Sequence, residues 1–94
     1  MDREHEILLI TQEECAEVIQ AISKCFRFGS NNYKPGKPHT NKEHLEEELG
    51  DLVAMITLLE MHGIISQSKI EVAKLAKMQK LRQWSNIFEN TQNA

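Results

Sequence analysis

Apolar residues recur at the three-to-four-residue spacing of helices in three stretches of this chain, separated by two breaks. The first stretch predicts a helix from about Arg3 to Phe28, with Asp2 as its cap and Gly29 as its stop. Residues 29–41, Gly-Ser-Asn-Asn-Tyr-Lys-Pro-Gly-Lys-Pro-His-Thr-Asn, are dense in turn formers and predict the one long loop. Both prolines, Pro35 and Pro38, lie there, so the helices on either side can run uninterrupted. Thr40 or Asn41 can cap the second helix, and Thr40 with Glu43 has capping-box spacing. That helix should end near His62-Gly63. A third should start at Ser66 or Ser68 and run to about Trp84 or Phe88, leaving Asn90–Ala94 to fray. The expected fold is all-α: a bundle of three main helices in a single domain, residues 1–94, completed by oligomerisation.

Helical phase singles out the acidic residues. At about 100° per residue, Ile7, Ile10, Val18, Ala21, Cys25 and Phe28 fall within about 40° of Glu14. Glu17 lies about 60° away, at the border with a polar face that holds Glu13, Gln20, Lys24 and Arg27. On the second helix Leu45, Leu52, Met55 and Leu59 lie within about 60° of Glu48, with Asp51 again at the border. Each helix therefore aims one glutamate into its apolar stripe and places a second carboxylate one turn along. An ionised carboxylate in apolar surroundings costs several kcal/mol unless paired or metal-bound. Four of them cannot neutralise one another; they could hold protons through raised pKa values, but a hard divalent cation is the simpler explanation. All-oxygen ligation suits Mg²⁺, with Mn²⁺ as a substitute, rather than Zn²⁺.

The third helix carries the opposite charge. One stripe runs through Ile70, Ala73, Leu81, Trp84 and Phe88, with Lys77 inside it and Lys74 at its edge. Val72, Leu75 and Ala76 form a second patch, so either side can be the buried one. If the first stripe faces the core, Lys74 and Lys77 can neutralise substrate phosphates.

Composition narrows the classes. The 94 residues fit one domain, 40% apolar content is globular, and a monomer this small would be marginally stable. A net charge of −3 argues against a nucleic-acid binder that relies on a basic surface. No apolar run approaches membrane length and no signal-peptide pattern is present, so a cytoplasmic protein is expected. Cys15 and Cys25 read as reduced packing residues. His5, His39, His44 and His62 are scattered, and none follows a glutamate by three, which argues against a ferritin-like di-iron site.

Glu13-Glu14-Cys15-Ala16-Glu17 followed by Glu48-Leu49-Gly50-Asp51 resembles the EExxE…ExxD signature of the MazG-like all-α NTP pyrophosphatases. The resemblance covers roughly residues 8–60. It implies a helical dimer or tetramer, Mg²⁺ as cofactor, and hydrolysis of (d)NTP to (d)NMP and pyrophosphate. Matched by position, Glu14, Glu17, Glu48 and Asp51 would be the metal ligands, and Glu13, with Glu17, would help to activate water. The third helix matches no fixed pattern of the family.

The expected mechanism is attack by an activated water on a metal-bridged polyphosphate, with Lys24, Lys74 or Lys77 offsetting charge on the leaving pyrophosphate. Tyr33, Lys34 and Lys37 of the loop are expected to contact base or sugar. The purpose would be control of a nucleotide pool, with a purine deoxynucleotide such as dGTP as the working substrate, although no particular residue carries that preference. The rival within the same chemistry is hydrolysis of another phosphorylated nucleotide, an NDP or phosphoribosyl nucleotide. The rival outside it is a non-catalytic, dimeric helical interaction module.

Overall fold

A computed structural model describes residues 1–89, so the tail expected to fray, Asn90–Ala94, lies outside the described residues. They form three helices and no strand: α1 (Arg3–Phe28), α2 (Asn41–Met61) and α3 (Gln67–Trp84). The chain divides into two units, Met1–Ile64 and the segment from Ile65 on.

Local chemistry sets the limits of α1 and α2 where the residue types suggest. Asp2 caps α1 by accepting from the His5 N–H at 2.8 Å. At the other end Gly29, at φ 90°, donates its N–H to the Cys25 carbonyl at 2.9 Å. A side chain there would be strained twice over, because a Cβ would also lie 2.7 Å from Asn32 Nδ2. That Asn32 amide donates to the carbonyl of Phe28, one of the orphan acceptors at the helix end. α2 opens with both halves of a capping box: Thr40 Oγ1 accepts from Glu43 N–H at 3.1 Å, and Glu43 Oε1 accepts from Thr40 N–H at 2.9 Å. The hydrogen bond from the Thr40 backbone, then that from its hydroxyl, holds the Glu43 carboxyl below its ordinary range.

Thr40 rather than Asn41 is thus the cap, and Asn41 has a different task. It is the one polar residue among those described as buried, 3% exposed. Its Nδ2 donates to the Gly29 carbonyl at 3.0 Å and its backbone N–H to the Asn32 carbonyl at 2.9 Å. With the Lys42 N–H on Ser30 O at 2.8 Å, these bonds seam the end of α1 to the start of α2. A single antiparallel bridge, Tyr33 to Thr40, closes the loop between them.

The two helices form an antiparallel hairpin: a shallow hollow at one end is lined by Arg3 and Glu4 together with His62, Gly63 and Ile64. Its seam buries Ile7, Val18 and Ala21 of α1 against Met55 and Leu59 of α2. All five belong to the stripes that phase assigns to Glu14 and Glu48. Phe28 departs from its stripe, being 52% exposed with the Arg27 guanidinium 4.9 Å from its ring centroid. It sits in the last turn of α1.

In the second unit, Ser66 caps α3 by accepting from Lys69 N–H at 3.3 Å, and Ser85 Oγ donates to the Leu81 carbonyl at 2.7 Å beyond its end. No residue of this helix is buried, so neither of its two apolar patches stands out as the core side. Ile70, Val72, Leu75 and Trp84 are all exposed.

The Asn41 seam generates a prediction. Asn41→Ala strands the Gly29 carbonyl and should cost about 1–3 kcal/mol in urea unfolding. Thr40→Ala, which loses the cap alone, should cost about 0.5–2 kcal/mol. An Asn41→Ala chain that unfolds at the wild-type midpoint would show that the seam carries no stability.

Candidate metal centre and adjoining cleft

Glu14 on α1 faces the hairpin seam, and Glu48 and Asp51, one turn apart on α2, face it from the other side. One carboxylate oxygen from each lies within 4.8 Å of the others. Glu14 and Glu48 are half-buried and Asp51 is exposed, so the group opens to solvent through Asp51. Among the described residues no lysine or arginine pairs with any of the three; the one ion pair is Glu48 Oε1 with His44 Nε2 at 3.7 Å. Burial pushes the Glu14 carboxyl above its ordinary value, and the charges of Asp51, Glu48, Glu17 and Glu13 push it further. Clustered carboxylates of this kind could hold a divalent cation, and a set of hard oxygen donors fits Mg²⁺ or Mn²⁺.

Beside Glu48 lies a cleft of about 280 Å³ at the loop end of the hairpin. Lys24 of α1, Lys34 and Lys37 of the loop, and His39, Thr40, Asn41, His44, Glu47 and Glu48 line it. Three lysines beside an acidic group are an arrangement for a ligand of mixed demands: anionic, and carrying its own cation.

These features agree with the comparison with known families, in which the model of the MazG nucleotide pyrophosphohydrolase domain matches residues 3–84. The chain belongs to the MazG nucleotide pyrophosphohydrolase family. No curated protein and no solved structure matches it. Membership makes the chain a nucleotide pyrophosphohydrolase, a hydrolase of phosphoanhydride bonds, and its all-helical fold agrees. Among the described residues no helix is long and apolar enough to cross a membrane.

The hairpin of this MazG chain brings some sequence candidates together and leaves others apart. Glu14, Glu48 and Asp51 converge. Glu17 is exposed and outside that group, though close enough for its charge to act on Glu14. Glu13 is exposed on the polar face and also adds to the charge on Glu14. Lys24 and Lys34 line the cleft, and Tyr33 is 62% exposed on the loop. Lys74 and Lys77 stand exposed on α3, where Lys74 pairs with Glu71 at 3.4 Å.

Phase missed three cleft residues: His39, His44 and Glu47. His44 and Glu47 share a helix face at i, i+3, a spacing visible in the sequence but in the reverse order to the glutamate-before-histidine pattern sought there. Only the loop conformation brings His39 to them.

The raised Glu14 pKa has a definite sign. A carboxyl that binds its proton more tightly folded than unfolded weakens the fold while it is ionised. Stability of the metal-free chain should therefore rise as pH falls from neutrality through the folded pKa towards the ordinary value of 4.5. Glu14→Gln should raise the melting temperature of the metal-free chain at neutral pH and flatten that part of the profile. A Glu14→Gln chain that melts lower than wild type in chelator would contradict this.

Proposed function

We propose that this chain is a Mg²⁺-dependent nucleoside triphosphate pyrophosphohydrolase, releasing (d)NMP and pyrophosphate. The supporting observation is the meeting of Glu14, Glu48 and Asp51 across the hairpin seam, next to a cleft lined by lysines. Glu14, Glu48 and Asp51, joined by Glu17 through a change of rotamer, would hold the cation. Bound there, Mg²⁺ would supply Lewis-acid polarisation of a phosphoryl oxygen.

The remaining roles belong to side chains. Lys24 and Lys34 bind and orient the phosphates, and their charge offsets that which develops on the leaving pyrophosphate. A carboxylate oxygen of Glu13 or Glu17 accepts the proton of the attacking water; both groups are exposed and therefore free to move. Tyr33 offers an open aromatic ring for the base. In this reading a nucleotide pool is the target, with a purine deoxynucleotide such as dGTP first on the panel.

The family match runs through both units, and we read residues 1–94 as one domain. We further propose a homo-oligomer. Five buried apolar side chains are a small core for a hairpin, while Ile19, Phe26, Val53 and Met61 stay more than half exposed on its helices.

The test is hydrolysis of an NTP and dNTP panel with Mg²⁺, by the wild-type chain and by Glu48→Gln. Glu48→Gln should lower kcat/KM by about 100-fold or more for the preferred triphosphate. Mg²⁺ should raise the melting temperature of the wild type and not of the variant. Equal turnover by both proteins would end the catalytic assignment, and cleavage confined to NDP or phosphoribosyl nucleotides would replace the substrate class.

A further inference from the structure

The cleft holds a second group of potential metal ligands whose chemistry differs from that of the carboxylates. One ring nitrogen of His39, one of His44 and a carboxylate oxygen of Glu47 lie within 4.8 Å of one another. Both histidines are half-buried, and their rings stack with centroids 5.8 Å apart and planes inclined by 19°. We infer that His39, His44 and Glu47 form a site for a divalent transition-metal ion of the Zn²⁺ class, distinct from the all-carboxylate group.

The donor set carries the argument. Two imidazoles and one carboxylate match Zn²⁺ and Co²⁺, and are a poor match for Mg²⁺, which keeps to oxygen. Around a four-coordinate ion with bonds of about 2.0–2.1 Å, ligand atoms sit about 3.4 Å apart. Atoms now up to 4.8 Å apart must therefore close by about 1.4 Å at most. Side-chain rotation supplies that, because His44 and Glu47 are neighbours on one face of α2 and His39 sits in the loop, free of helical constraint.

The surroundings define the fourth ligand. All three residues line the cleft, so an outside ligand has access. Lys24, Lys34 and Lys37 line it too and oppose a bare cation. One negative charge from Glu47 and one from a bound hydroxide or phosphate make the metal centre neutral, and the lysines then favour that anion. Glu48, 3.7 Å from His44 Nε2, adds negative charge on the other side. A metal held this way ties His39, near the end of the 29–41 loop, to the first turns of α2. It fixes the loop that forms one wall of the cleft.

The experiment titrates the metal-stripped full-length chain with Co²⁺, following visible absorption, and with Zn²⁺, following the melting temperature. The wild type should develop the intense d–d bands of four-coordinate Co²⁺, reversed by Zn²⁺ and untouched by millimolar Mg²⁺. His39→Gln and Glu47→Gln should each weaken Co²⁺ binding by about tenfold or more, and Glu14→Gln should leave it as in the wild type. No four-coordinate spectrum in the wild type overturns the site. So does an unchanged affinity in both His39→Gln and Glu47→Gln, or a loss confined to Glu14→Gln. Failure of the carboxylate reading appears separately, as a missing Mg²⁺ shift in melting temperature with the Co²⁺ spectrum intact.

Discussion

Like charge held in a helix–helix seam is the constraint on which the 1–64 unit depends. Packing Ile7, Val18 and Ala21 on Met55 and Leu59 brings Glu14 to Glu48 and Asp51, because the acids occupy the same stripes. Each buried large side chain contributes about 1.5–3 kcal/mol, and the core is short of them. The repulsion must therefore be met elsewhere. The loop end of the hairpin does so with directional bonds: the capping box at Thr40 and Glu43, and the Asn41 amide on the Gly29 carbonyl. Those bonds set the register that keeps the acids opposite one another. A cation at the seam would then turn this repulsion into a cross-link between the two helices.

Helical phase made much of this legible from the residues alone. Periodicity with the cap and stop residues placed α1 and α2 within a residue or two and left α3 with two candidate starts, Ser66 and Ser68, and two candidate ends, Trp84 and Phe88, of which Ser66 and Trp84 are the ones found. It also marked Glu14 and Glu48 as seam-facing. Its limit shows in Glu17 and Asp51, which have the same phase relative to their anchors, yet Asp51 joins the group and Glu17 does not. Phase describes one helix and is silent on the distance to its partner. The loop was harder still. Nothing periodic relates His39 to His44, and the buried role of Asn41 follows from backbone carbonyls at Gly29 and Asn32 that only a folded loop presents.

α3 shows the opposite failure, a pattern with too many readings. Two short apolar patches allowed either face to be buried, and no residue of α3 is buried to choose between them. Trp84 at its end is 82% exposed.

Adjacent residues on α2 divide the chemistry of this end of the molecule. Glu47 and Glu48 are consecutive, so their side chains diverge by about 100° around the helix. Glu48 meets Glu14 and Asp51, an oxygen-only set, while Glu47 meets His39 and His44, a mixed nitrogen and oxygen set. His44 then touches Glu48 across the divide. In the proposed reading these two donor types, within one turn of helix, would suit cations of different hardness. The lysines of the cleft would serve an anion bound to either ion. Two consecutive glutamates on α2 thus help to line the cleft with carboxylate, imidazole and ammonium groups together, a mixture that a uniformly acidic face would lack.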